Sequence, residues 1–233
     1  MAQIFFEGHA KGAVEKIAVE IGDLVIAGWT GRDVAALNHH IEELKALGVM
    51  PPSKVPIYYR VGAHLLTQAP IVQVLGEDSS GEVEPVLIAA AGRLWVTIGA
   101  DHTDRKVESY SIAVSKQMCA KPVGTVAWRF EEVEPHWDRL MLRSFIWEGG
   151  IEEGGKRVMY QEGPLARIRE PRGLIGDWQG NPRLPEGVAM FLGTMPAIGA
   201  IRPSRRFEME LEDPVLGRKL SHGYRVQSLP VIA

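Results

Sequence analysis

A single cysteine, Cys119, in 233 residues leaves no internal disulfide and no thiolate metal cluster to consider, and a reducing cytoplasm is the expected setting. No run approaches the roughly 18 apolar residues that a membrane span requires. The opening MAQIFFEGHAKG carries Glu7 and lacks a cationic stretch followed by an apolar one, so no export signal is expected. Excess charge of one sign is missing too. Lys and Arg number 26 against 29 Asp and Glu, a net charge of −3, which gives neither nucleic acid nor an anionic membrane a reason to bind. Neither GxSxG nor GxGxxG occurs, so a nucleophile elbow and a dinucleotide fingerprint both lack support. The stretch from Gly150 nearly spells a phosphate loop, but Arg157 stands where Ser or Thr must hold the metal.

What is present is an ordinary globular composition, 45% hydrophobic and 24% charged. Short apolar bursts at Ile4–Phe6, Ile17–Val19 and Leu24–Ile26, punctuated by Gly12 and Gly22, predict a β meander. Val34, Leu37, Ile41 and Leu44 recur at helical steps and predict a helix over Asp33–Leu47, with Gly48 as its stop. Pro51, Pro52 and Pro56 mark the best boundary. Strands are expected at Pro56–Val61, Ile71–Val74, Gly81–Ala90 and Arg93–Ala100, with Ala91-Gly92 as a tight turn. Helices are expected over Asp104–Ser115 and from Pro135, since proline suits a first helical turn. Strands return at Phe145–Trp147, Arg157–Gln161, Val188–Leu192, Phe207–Leu211 and Leu220–Val226. Without regular βαβ alternation, the expected class is a β-rich α+β fold.

The acidic residues of the central hairpin carry the chemistry. Glu82 and Glu84 fall on one face of an extended strand, because side chains alternate. A turn at Ala91-Gly92 places Asp101 opposite Glu82; sliding it to Gly92-Arg93 places Asp101 opposite Glu84. Either register gathers three carboxylates on one face. Such crowding calls for neutralisation or a retained proton, and it leads to the expectation that a dication joins the three groups. Mg²⁺ suits an all-oxygen set that keeps coordination positions open. The plainer alternative is a solvated acidic face beside Arg105 and Lys106.

On the first helix, His40 and Glu43 are three residues apart at the edge of the apolar stripe, while His39 and Glu42 point farther towards solvent. The His40–Glu43 pair is therefore the better candidate for a general base near neutral pH. An ordinary surface helix is the alternative.

Taken in order, these segments resemble the fumarylacetoacetate hydrolase superfamily, nearest to a divergent bacterial subgroup of unknown function (DUF2848-like). Glu82-Val83-Glu84 resembles its Glu-x-Glu strand, and Asp101 to Arg105 its Asp-x-x-x-Arg. Ser115-Lys116-Gln117-Met118-Cys119 resembles its Lys-Ser-Phe element, and Tyr160-Gln161-Glu162-Gly163 its Arg-Gln-Glu-Gly hairpin. Pro185-Glu186-Gly187 and Gly193–Gly199 resemble its Gly-Asp and Thr-Gly-Thr-Pro-x-Gly-Val-Gly elements, and the helix pair its lid motif His-x-x-Glu.

The resemblance implies a mixed β-sandwich roll with a few peripheral helices. Residues 1–50 would form a small β meander with a lid-like helix, and residues 51–233 the catalytic domain. It further implies a homodimer that uses Mg²⁺ or Mn²⁺, held by Glu82, Glu84 and Asp101, to cleave a C–C bond in a small oxo acid through a stabilised enolate. His40 and Glu43 would activate water, Lys116 would be the active-site lysine, and Arg60, Thr194 and Arg105 would line or brace the substrate pocket. The resemblance equally allows the same cradle to serve decarboxylation of oxo acids, hydration of dienoic acids or dehydration of 2-oxo-3-deoxy sugar acids, and a non-catalytic acid-binding role is the rival. The chain departs from the pattern at Arg60, where many members carry lysine, at Met195, and at Gly187-Val188.

Overall fold

The computed structural model describes residues 1–35, 37, 42, 52–149 and 155–232. The chain opens with β1 (Ala2–Ala10), β2 (Ala13–Ile21) and β3 (Asp23–Gly28). Next come β4 (Ile57–Val61), β5 (Leu66–Thr67), β6 (Ile71–Leu75) and β7 (Ser79–Ser80). The central hairpin is β8 (Val83–Ala90) and β9 (Arg93–Ala100), followed by β10 (Thr103–Asp104), β11 (Lys121–Pro122) and β12 (Val126–Arg129). The last strands are β13 (Met141–Glu148), β14 (Lys156–Pro164), β15 (Val188–Phe191), β16 (Arg206–Asp213) and β17 (Arg218–Leu229). Helices α1 (Arg105–Glu108), α2 (Ile112–Met118), α3 (Phe130–Val133) and α4 (Pro171–Gln179) lie between them.

Eight strands form one sheet in the order β2-β1-β12-β9-β8-β15-β3-β4, and five form a second in the order β14-β13-β16-β17-β6. The large sheet curls, so β8 and β9 are buried on both faces. Val86, Ile88 and Ala90 pack with Ile4, Phe6, Ile17 and Phe191 inside the curl. Val83, Leu87 and Ala89 pack with Leu142, Met209 and Leu220 of the second sheet. That explains the near-continuous apolar run of β8, whereas β16, covered on one face only, alternates strictly.

Strands β1–β3 of the expected N-terminal meander lie in the eight-stranded sheet. The hairpin of β1 and β2 carries an apolar face, Ile4, Phe6, Ile17 and Val19. It is covered because β1 pairs in parallel with β12 and β3 pairs in parallel with β15. The expected helix over Asp104–Ser115 is corrected. Two short helices replace it, because Asp104 accepts from Val107 N and Ser111 from Val114 N, and each cap starts a new helix. Near Pro135 the chain forms α3 and then a 3₁₀ segment over Glu134–Arg139. Helix α4 was not expected, although Pro171 in its first turn and Gly180, with φ of +78°, bracket it in the usual way. In the first helix, Val34, Ala35, Leu37 and Glu42 are helical; His39, His40 and Glu43 lie outside the described residues. Among the described residues no helix is long and apolar enough to cross a membrane.

Candidate metal centre

The register of the central hairpin is decided by its turn. Ala91 and Gly92 both have positive φ, 53° and 69°, the geometry of a two-residue hairpin turn. Glu186 fastens that turn by accepting from Ala91 N at 2.6 Å and Gly92 N at 3.3 Å. Ala90 therefore faces Arg93 and Glu84 faces Gly99. One step further, Asp101 N donates to Glu82 O at 2.9 Å. Of the two registers open from sequence, this is the one that puts Asp101 opposite Glu82.

Glu82, Glu84 and Asp101 thereby converge, with one carboxylate oxygen from each within 4.8 Å of the others. Glu84 is 2% exposed and Asp101 fully buried. Glu84 Oε2 accepts from Gly193 N at 2.6 Å. Burial, then the charges of Asp101 and Glu82, push the Glu84 carboxyl well above the usual carboxylate range, against the pull of Lys116 and the Gly193 N–H.

Protein side chains supply part of the neutralisation that the crowding of three acids calls for. Three side-chain cations already face them. Lys116 Nζ is ion-paired with Asp101 Oδ2 and lies 3.9 Å from Glu82. Lys121 Nζ lies 3.0 Å from Asp101 Oδ1. Arg105 lies 3.2 Å from Glu82 and 2.8 Å from Glu108, and donates to Ser80 Oγ at 2.7 Å. Burial alone would raise the Asp101 carboxyl, but Lys116 and Lys121 outweigh it and hold it below the usual range. Burial lowers both lysines. Lys116, which faces several carboxylates, is nevertheless raised, whereas Lys121, repelled by Lys116, stays below its ordinary value.

The donor set fits a hard dication. Oxygens opposite each other around Mg²⁺ stand about 4.2 Å apart, given Mg–O of roughly 2.1 Å. Only one pair of three ligands can be opposite and adjacent ones stand about 3.0 Å apart, so a spread of up to 4.8 Å closes onto such an ion with inward shifts of up to about 1 Å in each side chain.

Backbone contacts from distant segments hold this arrangement. Gln161 accepts from Val83 N at 3.0 Å and from Ser144 Oγ at 2.8 Å, and donates to Thr194 Oγ1 at 2.8 Å and Met195 O at 2.6 Å. Thr194 Oγ1 in turn donates to Val83 O at 2.7 Å, so its hydroxyl braces β8. Gly193 has a φ of +107°, and a Cβ there would collide with Thr30 Oγ1. Gly193→Ala is therefore expected to cost about 2–4 kcal/mol through backbone strain and overpacking and to weaken cation binding by misplacing the N–H on Glu84. Urea unfolding and a Mn²⁺ titration check both effects.

The structure thus brings Glu82, Glu84, Asp101, Lys116 and Arg105 together, with Thr194 as a brace behind them. Arg60 is not among them. It is exposed, ion-paired with Asp23, and 6.0 Å from the Trp178 ring. Strand alternation is the reason: on β4 the neighbouring Tyr59 faces inward, with its ring 5.7 Å from Lys116 Nζ.

His102 is locked beside the centre, with Nδ1 2.8 Å from Tyr224 Oη and Nε2 3.0 Å from Ser79 Oγ. Burial, then the charges of Lys121 and Arg105, lower its pKa to about 3. The unfolded chain takes up this proton below about pH 6.5 and the folded chain does not, so the contribution is complete above that pH and lost as pH falls towards 3. Between pH 6.5 and 5 the loss is about 2 kcal/mol. Chemical unfolding at both pH values should show it in wild type, and His102→Gln should show a smaller drop.

Residues 27–224 match the family described as a protein of unknown function, DUF2848. The chain belongs to that family. No curated protein matches it. Among solved structures, Cg1458 is similar at 14% identity and a TM-score of 0.62, over 93% of this chain and 80% of that one. A 2-keto-3-deoxy-D-arabinonate dehydratase complexed with magnesium and 2,5-dioxopentanoate is similar at 14% identity and a TM-score of 0.59, over 96% and 79%. The 4-oxalocrotonate decarboxylase from Pseudomonas putida G7, complexed with calcium and acetate, is similar at 14% identity and 0.54, over 88% and 79%. At such identities the likeness concerns fold. For this DUF2848 member the fold is the one that its resemblance to the fumarylacetoacetate hydrolase superfamily implied.

Proposed function

We propose that the protein is a divalent-cation-dependent enzyme acting on a small oxo acid. The observation that carries this reading is the convergence of Glu82, Glu84 and Asp101, with Lys116 at its rim. A dication held by the three carboxylates would supply Lewis-acid polarisation of a substrate carbonyl. Lys116 stays protonated there, because Asp101 and Glu82 outweigh its burial. Its role is to neutralise a substrate carboxylate or developing oxyanion, not to take up a proton. Arg105 fixes Glu82, and Tyr59 lines the approach to Lys116.

Within this class the leading reaction is hydrolysis of a C–C bond in an acylpyruvate or β-diketo acid. Water adds to the distal carbonyl, the C–C bond breaks, and the bonding pair stays on the oxo-acid fragment until carbon is protonated. Two acids result. His40 with Glu43 is the candidate pair for taking the proton from water. A second reading, dehydration or decarboxylation of an oxo acid, is favoured by the dehydratase and the decarboxylase that share the fold.

Purified protein incubated with acylpyruvates, 2-oxo-3-deoxy sugar acids and oxo dicarboxylates plus Mg²⁺ or Mn²⁺ separates these by mass spectrometry. Hydrolysis gives two acids, dehydration loses water, and decarboxylation loses CO₂. A melting-temperature rise with Mg²⁺ and oxalate but no turnover of any substrate supports the non-catalytic acid-binding rival. Neither turnover nor any rise across a range of pH overturns the proposal.

A further inference from the structure

We infer that Lys121 is a positioning residue that confines Asp101 to one donor oxygen, so that the centre favours small six-coordinate dications over Ca²⁺. This rests on the cation reading above. The two oxygens of Asp101 are held in different ways. Lys121 is fully buried, and its Nζ lies 3.0 Å from Asp101 Oδ1 while donating to His102 O at 2.5 Å. Its backbone is fixed by the pairing of Lys121 with Leu66 between β11 and β5. Thr103 Oγ1 lies 3.4 Å from Oδ1 and 3.2 Å from its other acceptor, Asp101 O. Oδ1 is therefore held by a buried ammonium whose backbone is fixed and whose other acceptor is a main-chain carbonyl, not a second carboxylate.

Among the described residues Oδ2 meets Lys116 alone, whose ammonium has other seats within reach: Glu82 at 3.9 Å and the Tyr59 ring at 5.7 Å. An incoming cation can displace Lys116 from Oδ2 but cannot displace Lys121 from Oδ1. Ca²⁺ takes 6–8 oxygens at 2.3–2.6 Å and readily uses both oxygens of a carboxylate, whereas Mg²⁺ takes six at about 2.1 Å. Withholding Oδ1 denies the larger ion a donor that the smaller one does not need. The charge on Lys121 opposes every dication alike, so the affinity ratio, not the absolute affinity, isolates this geometric effect.

Calorimetric titration of Mg²⁺, Mn²⁺ and Ca²⁺ into wild type, Lys121→Met and Lys121→Gln tests the inference. In Lys121→Met all three ions should bind more tightly, and Ca²⁺ should gain about 10-fold on Mg²⁺, a differential of about 1.4 kcal/mol. Lys121→Gln keeps an N–H for Oδ1, should shift the ratio less, and decides the matter if the Met variant does not fold. A role in folding alone would weaken all three ions together and leave the ratio alone. A Ca²⁺/Mg²⁺ ratio within twofold of wild type overturns the assignment of Lys121 and leaves the centre standing. No binding of any ion by wild type overturns the cation reading itself.

Discussion

Glu84→Gln is expected to abolish the cation-induced rise in melting temperature and to cut turnover by about 10³-fold or more, the equivalent of several kcal/mol of lost carbonyl polarisation. The same variant, free of metal, should melt no lower than wild type. The reason lies in what the carboxylate endures without a cation. Glu84 is buried, and Asp101 and Glu82 add their repulsion, so its charged form is costly. Glutamine keeps the shape, and its amide oxygen can still accept from Gly193 N. Binding is lost while stability is kept or gained, the signature of a group retained for chemistry rather than for folding. Wild-type Mn²⁺ affinity in this variant would place the centre elsewhere.

Asp101→Asn is expected to do the opposite to stability. Asp101 is the shared counter-ion of two buried lysines, and removing its charge leaves both without their partner. Breaking a buried pair from one side costs about 3–5 kcal/mol, which in a chain of this size lowers the melting temperature by roughly 6–20 °C. Calorimetry on the metal-free variant reads this directly. A melting temperature within 2 °C of wild type would mean that Lys116 and Lys121 do not depend on Asp101. Together the two variants separate the acid that the fold needs from the acid that the ion needs.

Much of this was legible in the residues themselves. Ala91-Gly92 is a turn dipeptide, and once it is placed, period-two alternation gathers Glu82, Glu84 and Asp101 without further information. Other features depend on sequence-distant contacts. Lys121 reads as an ordinary surface lysine, and only its position between Cys119-Ala120 and Pro122-Val123, an apolar setting for a charge, could have flagged it. Arg60 and Tyr59 differ by one residue on a strand, and which of them faces inward depends on how β4 pairs with β3. The union of β1–β3 with the rest of the sheet rests on parallel pairings to β12 and β15, across more than a hundred residues, which no local pattern encodes. Ser111, by contrast, is a cap visible in the sequence, and it divides Asp104–Ser115 into two helices.

Gln161, Gly193 and Thr194 reach the hairpin of Glu82 and Glu84 from 78 to 111 residues downstream. During synthesis, a polypeptide that has emerged from the ribosome only as far as the two glutamates and Asp101 has all three acids but none of these three braces. The three acids therefore cannot be braced until synthesis has passed Thr194, so assembly of the centre belongs to a late stage of folding.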